Sequence, residues 1–210
     1  MDTWPLFDLS ITSDDLELHA VRDVEVEALA GMFSDDVEQD PRAERFDSLD
    51  PAADRRRLVG QGIWRNRGTW SPSSWCLDFA VVHQGRLVGL QTLEADDFLL
   101  LRTVDSASWL TTTARGQGIG LAMRTAVLTL AFDHLGAQHA ISSARLDNAA
   151  SLAVSRRIGY ADNGLSVVRS PSGIATLQHL RLTRDQWDAS GRGRGFTVKG
   201  VDRCRAWFGI

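Results

Sequence analysis

Only two cysteines, Cys76 and Cys204, occur in the 210 residues. They are too few for a disulfide framework and lack C-x-x-C spacing, so a reducing compartment, the cytoplasm, is expected. Long apolar runs are also missing, and none is long enough to span a bilayer. The opening Met1-Asp2-Thr3-Trp4-Pro5 has an acid where a secretion signal carries basic residues. An excess of positive charge is absent too. The formal net charge of −4 removes the usual electrostatic reason to expect nucleic acid. His19, His83, His134, His139 and His179 show no metal-ligand spacing with cysteines or acids. A G-x-S-x-G elbow, a P-loop ending in Gly-Lys-Ser/Thr and internal repeats are all lacking.

What remains has the profile of one globular domain, with 43% hydrophobic and 24% charged residues. Leu16 to Val21 alternates as a half-buried strand, and helical spacing follows from Arg22 to Phe33. Residues 34–50 form an acidic loop containing Asp35, Asp36, Glu38, Asp40 and Pro41, which either attracts a cationic acceptor or merely keeps the surface solvated. Asp50-Pro51 starts a helix to about Asn66. Strands at 74–83 and 86–94 flank the Gln84-Gly85 turn, and another is expected at 103–111. An apolar helix from Ile119 to Leu135 ends at Gly136, with Met123, Val127, Leu130 and Ala131 expected in the core. A strand at 139–146, a helix at 149–158 and strands near 165–169 and 175–182, around Pro171-Ser172-Gly173, complete the pattern.

The Arg-Gly run at 191–195 reads as a flexible linker. After it, the apolar end of the 189–210 extension is expected to dock on the 1–188 domain or on a second subunit. Trp64, Trp70 and Trp75 either cover the core edge or wall an acceptor pocket.

The chemistry concentrates between Ser108 and Tyr160. In Arg115-Gly116-Gln117-Gly118-Ile119-Gly120, alternating glycines at a helix entrance leave N–H groups unobstructed, and the helix dipole favours an anion such as a pyrophosphate. Leu121 breaks the G-x-G-x-x-G dinucleotide fingerprint.

This turn resembles R/Q-x-x-G-x-G/A, the coenzyme A-binding signature of the GNAT superfamily of N-acetyltransferases. Asp147-Asn148-Ala149-Ala150-Ser151 and the closing Gly159-Tyr160 look like its RimJ/RimL branch, which acetylates protein N-termini and assorted amines. The motifs span about residues 103–164, and the element order agrees over 14–188. The resemblance implies an α/β (α+β type) fold. Its mixed, mostly antiparallel sheet of about seven strands has helices on both faces and a splayed parallel strand pair holding acyl-CoA. Backbone of Trp109, Leu110 and Thr111 would bond the pantetheine arm. Arg115, Gly116, Gln117, Gly118, Ile119 and Gly120 would form the pyrophosphate turn, and Asn148 and Ser151 would lie near the thioester.

Acetyl-CoA is the implied donor, with succinyl-CoA the alternative, and a protein N-terminus or small-molecule amine is the acceptor. A homo-oligomer fits as well, and a turnover-free acyl-CoA-binding module remains the competing class. Aminolysis needs a neutral amine, so a base is required near pH 7. Asp105 is the candidate and Glu94 the reserve, while a backbone N–H near Leu110 would stabilise the oxyanion. Where many members of the superfamily carry an acidic Tyr, this chain has Ser155. Ser151 stands where RimL-type enzymes place a serine for that role. Asn148 also reads as a plain N-cap, and Ser155 as a hydroxyl bonded to its own backbone.

Overall fold

A computed structural model of the protein describes residues 3–37, 43–170 and 173–210. Glu38, Asp40, Pro41, Pro171 and Ser172 lie outside the described residues. In chain order the elements begin with β1 (Ser10–Thr12), β2 (Leu16–Ala20), α1 (Asp23–Met32), α2 (Pro51–Gly68), β3 (Ser74–His83) and β4 (Arg86–Asp96). There follow α3 (Phe98–Leu101), β5 (Thr103–Val104), β6 (Ser108–Leu110) and α4 (Ile119–Thr129), which continues as a π-helical turn over Leu130–Leu135. The chain closes with β7 (His139–Arg145), α5 (Ala149–Ile158), β8 (Ala161–Ser170), β9 (Gly173–Thr183), α6 (Arg184–Ser190), β10 (Thr197–Lys199) and α7 (Val201–Cys204).

Local chemistry explains the main boundaries. Asp50 caps α2 by accepting from Ala52 N and Ala53 N at 3.0 and 3.1 Å. Gln84 and Gly85 both have positive φ, the twist that a two-residue hairpin between β3 and β4 requires. Trp75, Leu77, Phe79 and Val81 alternate along β3 and are buried with Met123, Val127, Leu130 and Ala131 of the α4 segment in the main core. On the opposite face, Ala80 and Leu90 pack with Val26, Leu29 and Ile63 from α1 and α2. Helices therefore cover both faces.

Among the described residues ten strands form two sheets, ordered β10-β1-β2-β3-β4-β6 and β5-β7-β9-β8. The count exceeds the expected seven because β1 and β10 are added and 103–111 is broken in two. β5 pairs parallel with β7 through Thr103↔His139 and Val104↔Ala140. Past Asp105–Ala107 the chain deserts β7, and β6 pairs antiparallel with β4 through Gly89↔Leu110 and Gln91↔Ser108. Gly89 permits this close seat, since a β-carbon there would stand 2.2 Å from the Trp109 carbonyl oxygen. The result is a V-shaped split between β6 and β7.

The tail is not a flexible linker. The Arg-Gly run forms a 3-10 turn, where a β-carbon on Gly193 would lie 2.4 Å from Asp133 Oδ2, and Arg192 Nη2 donates to Arg157 O at 2.6 Å. β10 then pairs with β1, and Trp70 Nε1 donates to Trp207 O at 2.9 Å. Trp4, Trp70, Trp75 and Phe208 stack or meet edge-on there, so Trp70 and Trp75 seal the core edge. Trp64 is exposed, and none of Trp64, Trp70 and Trp75 lines the cleft described below. Among the described residues no helix is long and apolar enough to cross a membrane.

Candidate active site

The split opens into a cleft of about 1170 Å³, larger than a compact ligand needs and suited to an extended one. Seven arginines and three aspartates line it, a cationic trough on a chain of net charge −4. Such a trough attracts a polyanion.

The glycine turn forms one end. Gly116 and Gly118 have φ of +76° and +83°, and a β-carbon at either would meet nothing within 4 Å. Their left-handed backbone bends the chain into α4 and leaves the helix entrance bare. No side chain caps α4, so its first N–H groups remain for an anion. Gly116, Gly118 and Gly120 line the cleft, whereas Gln117 turns to Thr113 O at 2.7 Å and Ile119 is buried in the core. The turn is a cradle of backbone, and it fits a pyrophosphate.

The strand edge is more selective than expected. Thr92 N donates to Ala107 O at 2.7 Å and Thr111 N to Val88 O at 2.9 Å. Antiparallel alternation then turns the Ser108 and Leu110 N–H groups away from β4, toward the split. Thr111 has its N–H on Val88 and its C=O on Ala114 N, so the expected pantetheine contact through Thr111 backbone is corrected. Trp109 and Leu110 line the cleft, but the same alternation turns the Trp109 backbone to Leu90 of β4, so the expected pantetheine contact through Trp109 backbone is corrected too; its indole is edge-on to Phe33.

Arg115 Nε donates to Leu110 O at 3.1 Å, and its guanidinium forms a two-pronged pair with Asp36. Arg115 and Ser34 together hold the Asp36 carboxyl far below the usual range. Asp35 pairs with Arg55. Of the four acids singled out in the loop, the two described, Asp35 and Asp36, are thus spent internally, and for them the picture of free carboxylates awaiting a cationic acceptor is corrected.

Asn148 and Ser151 line the opposite wall. Asn148 Oδ1 accepts from Ser151 N at 3.1 Å, so Asn148 is an N-cap that also faces the cleft. Ser155 is fully buried, donating to Ser151 O at 3.2 Å and accepting from Arg124 Nη1 at 2.7 Å. Replacing Ser155 with Ala will leave a buried guanidinium N–H unpaired. A loss of about 1–3 kcal/mol is expected, read as a lower midpoint in chemical denaturation.

Asp105 does not line the cleft. It sits at the kink, partly buried, pairing through backbone with Glu94, while its Oδ1 accepts from Ser106 N at 2.6 Å. Burial and then the Glu94 charge push its carboxyl up to about 6, against the Ser106 amide and Arg124, which pull it down. Sequence reasoning missed Arg124, a 5% exposed guanidinium on the cleft wall. The signal was present, since Arg124 is the lone charge in the apolar run Ile119 to Leu130.

The profile of the family described as "Acetyltransferase (GNAT) domain" matches residues 15–161. The chain belongs to the GNAT acetyltransferase family. It is therefore an enzyme of acetyl transfer from coenzyme A, and the split sheet with its glycine turn is the GNAT fold. A RimJ from Mycobacterium smegmatis, solved with CoA-disulfide, is similar at 16% identity and TM-score 0.63, over 90% of this chain and 97% of that one. A GNAT-family acetyltransferase from Bacillus anthracis aligns at 14% identity and TM-score 0.63, over 84% and 99%. A RimL ribosomal alpha-N-protein acetyltransferase aligns at 18% and TM-score 0.61, over 81% and 91%. At these identities the likeness is one of fold.

Proposed function

We propose that this GNAT enzyme moves an acetyl group from acetyl-CoA to a primary amine, by direct attack of the amine on the thioester. The supporting observation is the cleft itself, with its anion cradle of backbone at one end; the partly buried Asp105 carboxylate sits at the kink, outside the cleft lining. Bound acyl-CoA supplies an activated carbonyl and a thiol that leaves readily, its pKa being about 8.5 in the free state. The N–C bond forms as the C–S bond breaks, and the amine's proton goes through water to Asp105. Leu110 N–H, turned to the split, faces the developing oxyanion. Ser151 hydrogen-bonds the departing sulfur. The RimJ and RimL resemblance favours a polypeptide N-terminus as acceptor, with a small-molecule amine as the other choice.

A second reading has succinyl as the acyl group. It is favoured by Arg124, whose guanidinium forms no ion pair with a carboxylate among the described residues and stands on the cleft wall. Mass spectrometry of the copurified acyl-CoA separates the two. Thiol release from acetyl-CoA and succinyl-CoA across a panel of peptides and amines tests transfer. Release that never rises above the amine-free rate would leave a binding module without turnover.

A further inference from the structure

Among the described residues five buried polar atoms lack a well-formed hydrogen bond, and three of them, Ser106 Oγ, Arg124 Nε and Tyr160 OH, belong to residues that act electrostatically on one another or neighbour Asp105. Their residues are 6%, 5% and 4% exposed, so bulk water does not satisfy them. An orphaned buried group costs about 1–3 kcal/mol, and native domains leave few of them. The Tyr160 hydroxyl lies against Ser106 and within the fields of Arg124 and Asp105. Each is held there by the fold. Tyr160 follows Gly159, whose φ of +119° ends α5, and its N–H bonds Ser155 O at 3.1 Å. Arg124 is fixed by Ser155 Oγ at 2.7 Å, and Ser106 by the Asp105 carboxylate on its own N–H.

We propose that Ser106, Arg124 and Tyr160 enclose an internal water beneath the kink and that Arg124 acts through this network as a positioning residue for Asp105, setting its protonation state. Buried donors and acceptors on these three residues are the partners a buried water needs for its two to four bonds. The charge balance supports the coupling. Among the described residues Arg124 has no ion pair, so ionised Asp105 is the carboxylate that offsets its buried charge. Glu94 faces Asp105 from β4 and opposes ionisation, Arg124 faces it from α4 and favours it. Tyr160, approaching from the end of α5, stays neutral, its hydroxyl pushed well above the ordinary tyrosine range by burial. The network therefore has two arrangements, switched by one proton.

Tyr160 is the chain's single tyrosine, which makes the test clean. Protein grown with 3-fluorotyrosine will give one fluorine resonance. It is expected to move with pH, with a midpoint at about 6. The movement should vanish in Asp105→Asn. In Arg124→Met the midpoint should rise, and Arg124→Lys should bring it back toward wild type. A resonance that ignores pH between 5 and 8 in the folded wild-type protein overturns the proposal, as does an unmoved midpoint in folded Arg124→Met. The proposal rests on Asp105 as base only for its kinetic meaning. Wild-type turnover in Asp105→Asn would remove that base while leaving the fluorine titration, and hence the network, intact.

Discussion

Asp105→Asn will lower turnover by roughly 10²–10⁴ while leaving acyl-CoA affinity unchanged. The carboxylate is remote from the pyrophosphate cradle, so cofactor binding has no reason to respond. Asn keeps the shape and can still accept from Ser106 N, so the kink should persist. What disappears is the proton acceptor. Its pH signature follows from the raised pKa of about 6. Below that value the carboxyl holds its proton and cannot take another, so wild-type kcat/KM should climb through pH 6 and level above it. The variant should lose this inflection.

Stability should move the other way. A carboxyl raised from 3.8 to about 6 binds its proton more tightly in the folded state, so stability falls as pH rises between those values and stays lower above them. Removing the acid should therefore raise Tm at pH 7.5 and give little gain below pH 4. Lower turnover together with higher Tm is the pattern of a strained functional group. A variant with wild-type rates at every pH would transfer the role to Glu94 or to water.

The large elements were legible because their signals are local. Asp50-Pro51, Gln84-Gly85 and the glycines at 116, 118 and 136 each dictate a backbone conformation within a few residues, and the structure has each turn where the pattern placed it. Alternation along 74–83 sufficed for β3 because one face meets α4 and the other α2. The missed features depend on distant partners. β10 is three residues long and exists because it pairs with β1 from the far end of the chain, Ser10 opposite Lys199, and the three-residue β1 is held between β10 and β2. The break in 103–111 is set by competition between β7 and β4 for one strand, which no spacing within the strand reveals. At the site, the glycine turn carried its own signature. Tyr160, by contrast, looked like part of a helix-ending motif, and only the packing of α5 against α4 brings its hydroxyl to Ser106 and into the field of Asp105.

Acyl-CoA affinity should collapse in Gly120→Asp, and this substitution separates charge from strain. The more obvious target, Gly118, has φ of +83°, so any side chain there would force a left-handed residue at the entrance to α4. Lost affinity in Gly118→Asp would mix a distorted turn with electrostatic repulsion. Gly120 is not among the positive-φ residues, and its β-carbon would make ordinary contacts at 3.9 Å with Leu110 and Val154. An acid in the first turn of a helix also favours the dipole, so the fold should hold or gain slightly. Gly120 nevertheless lines the cleft beside Gly118, at the proposed pyrophosphate site. A carboxylate there meets the cofactor's charge within the first turn and competes for the same N–H groups. A loss of at least 100-fold in affinity, about 2.7 kcal/mol, is the expected result by calorimetry. Gly120→Asn should lose far less, since it adds similar bulk without charge. Equal losses in the two variants would mean that bulk, and not an anion at this turn, controls binding. Unchanged affinity in both would move the pyrophosphate away from the turn altogether.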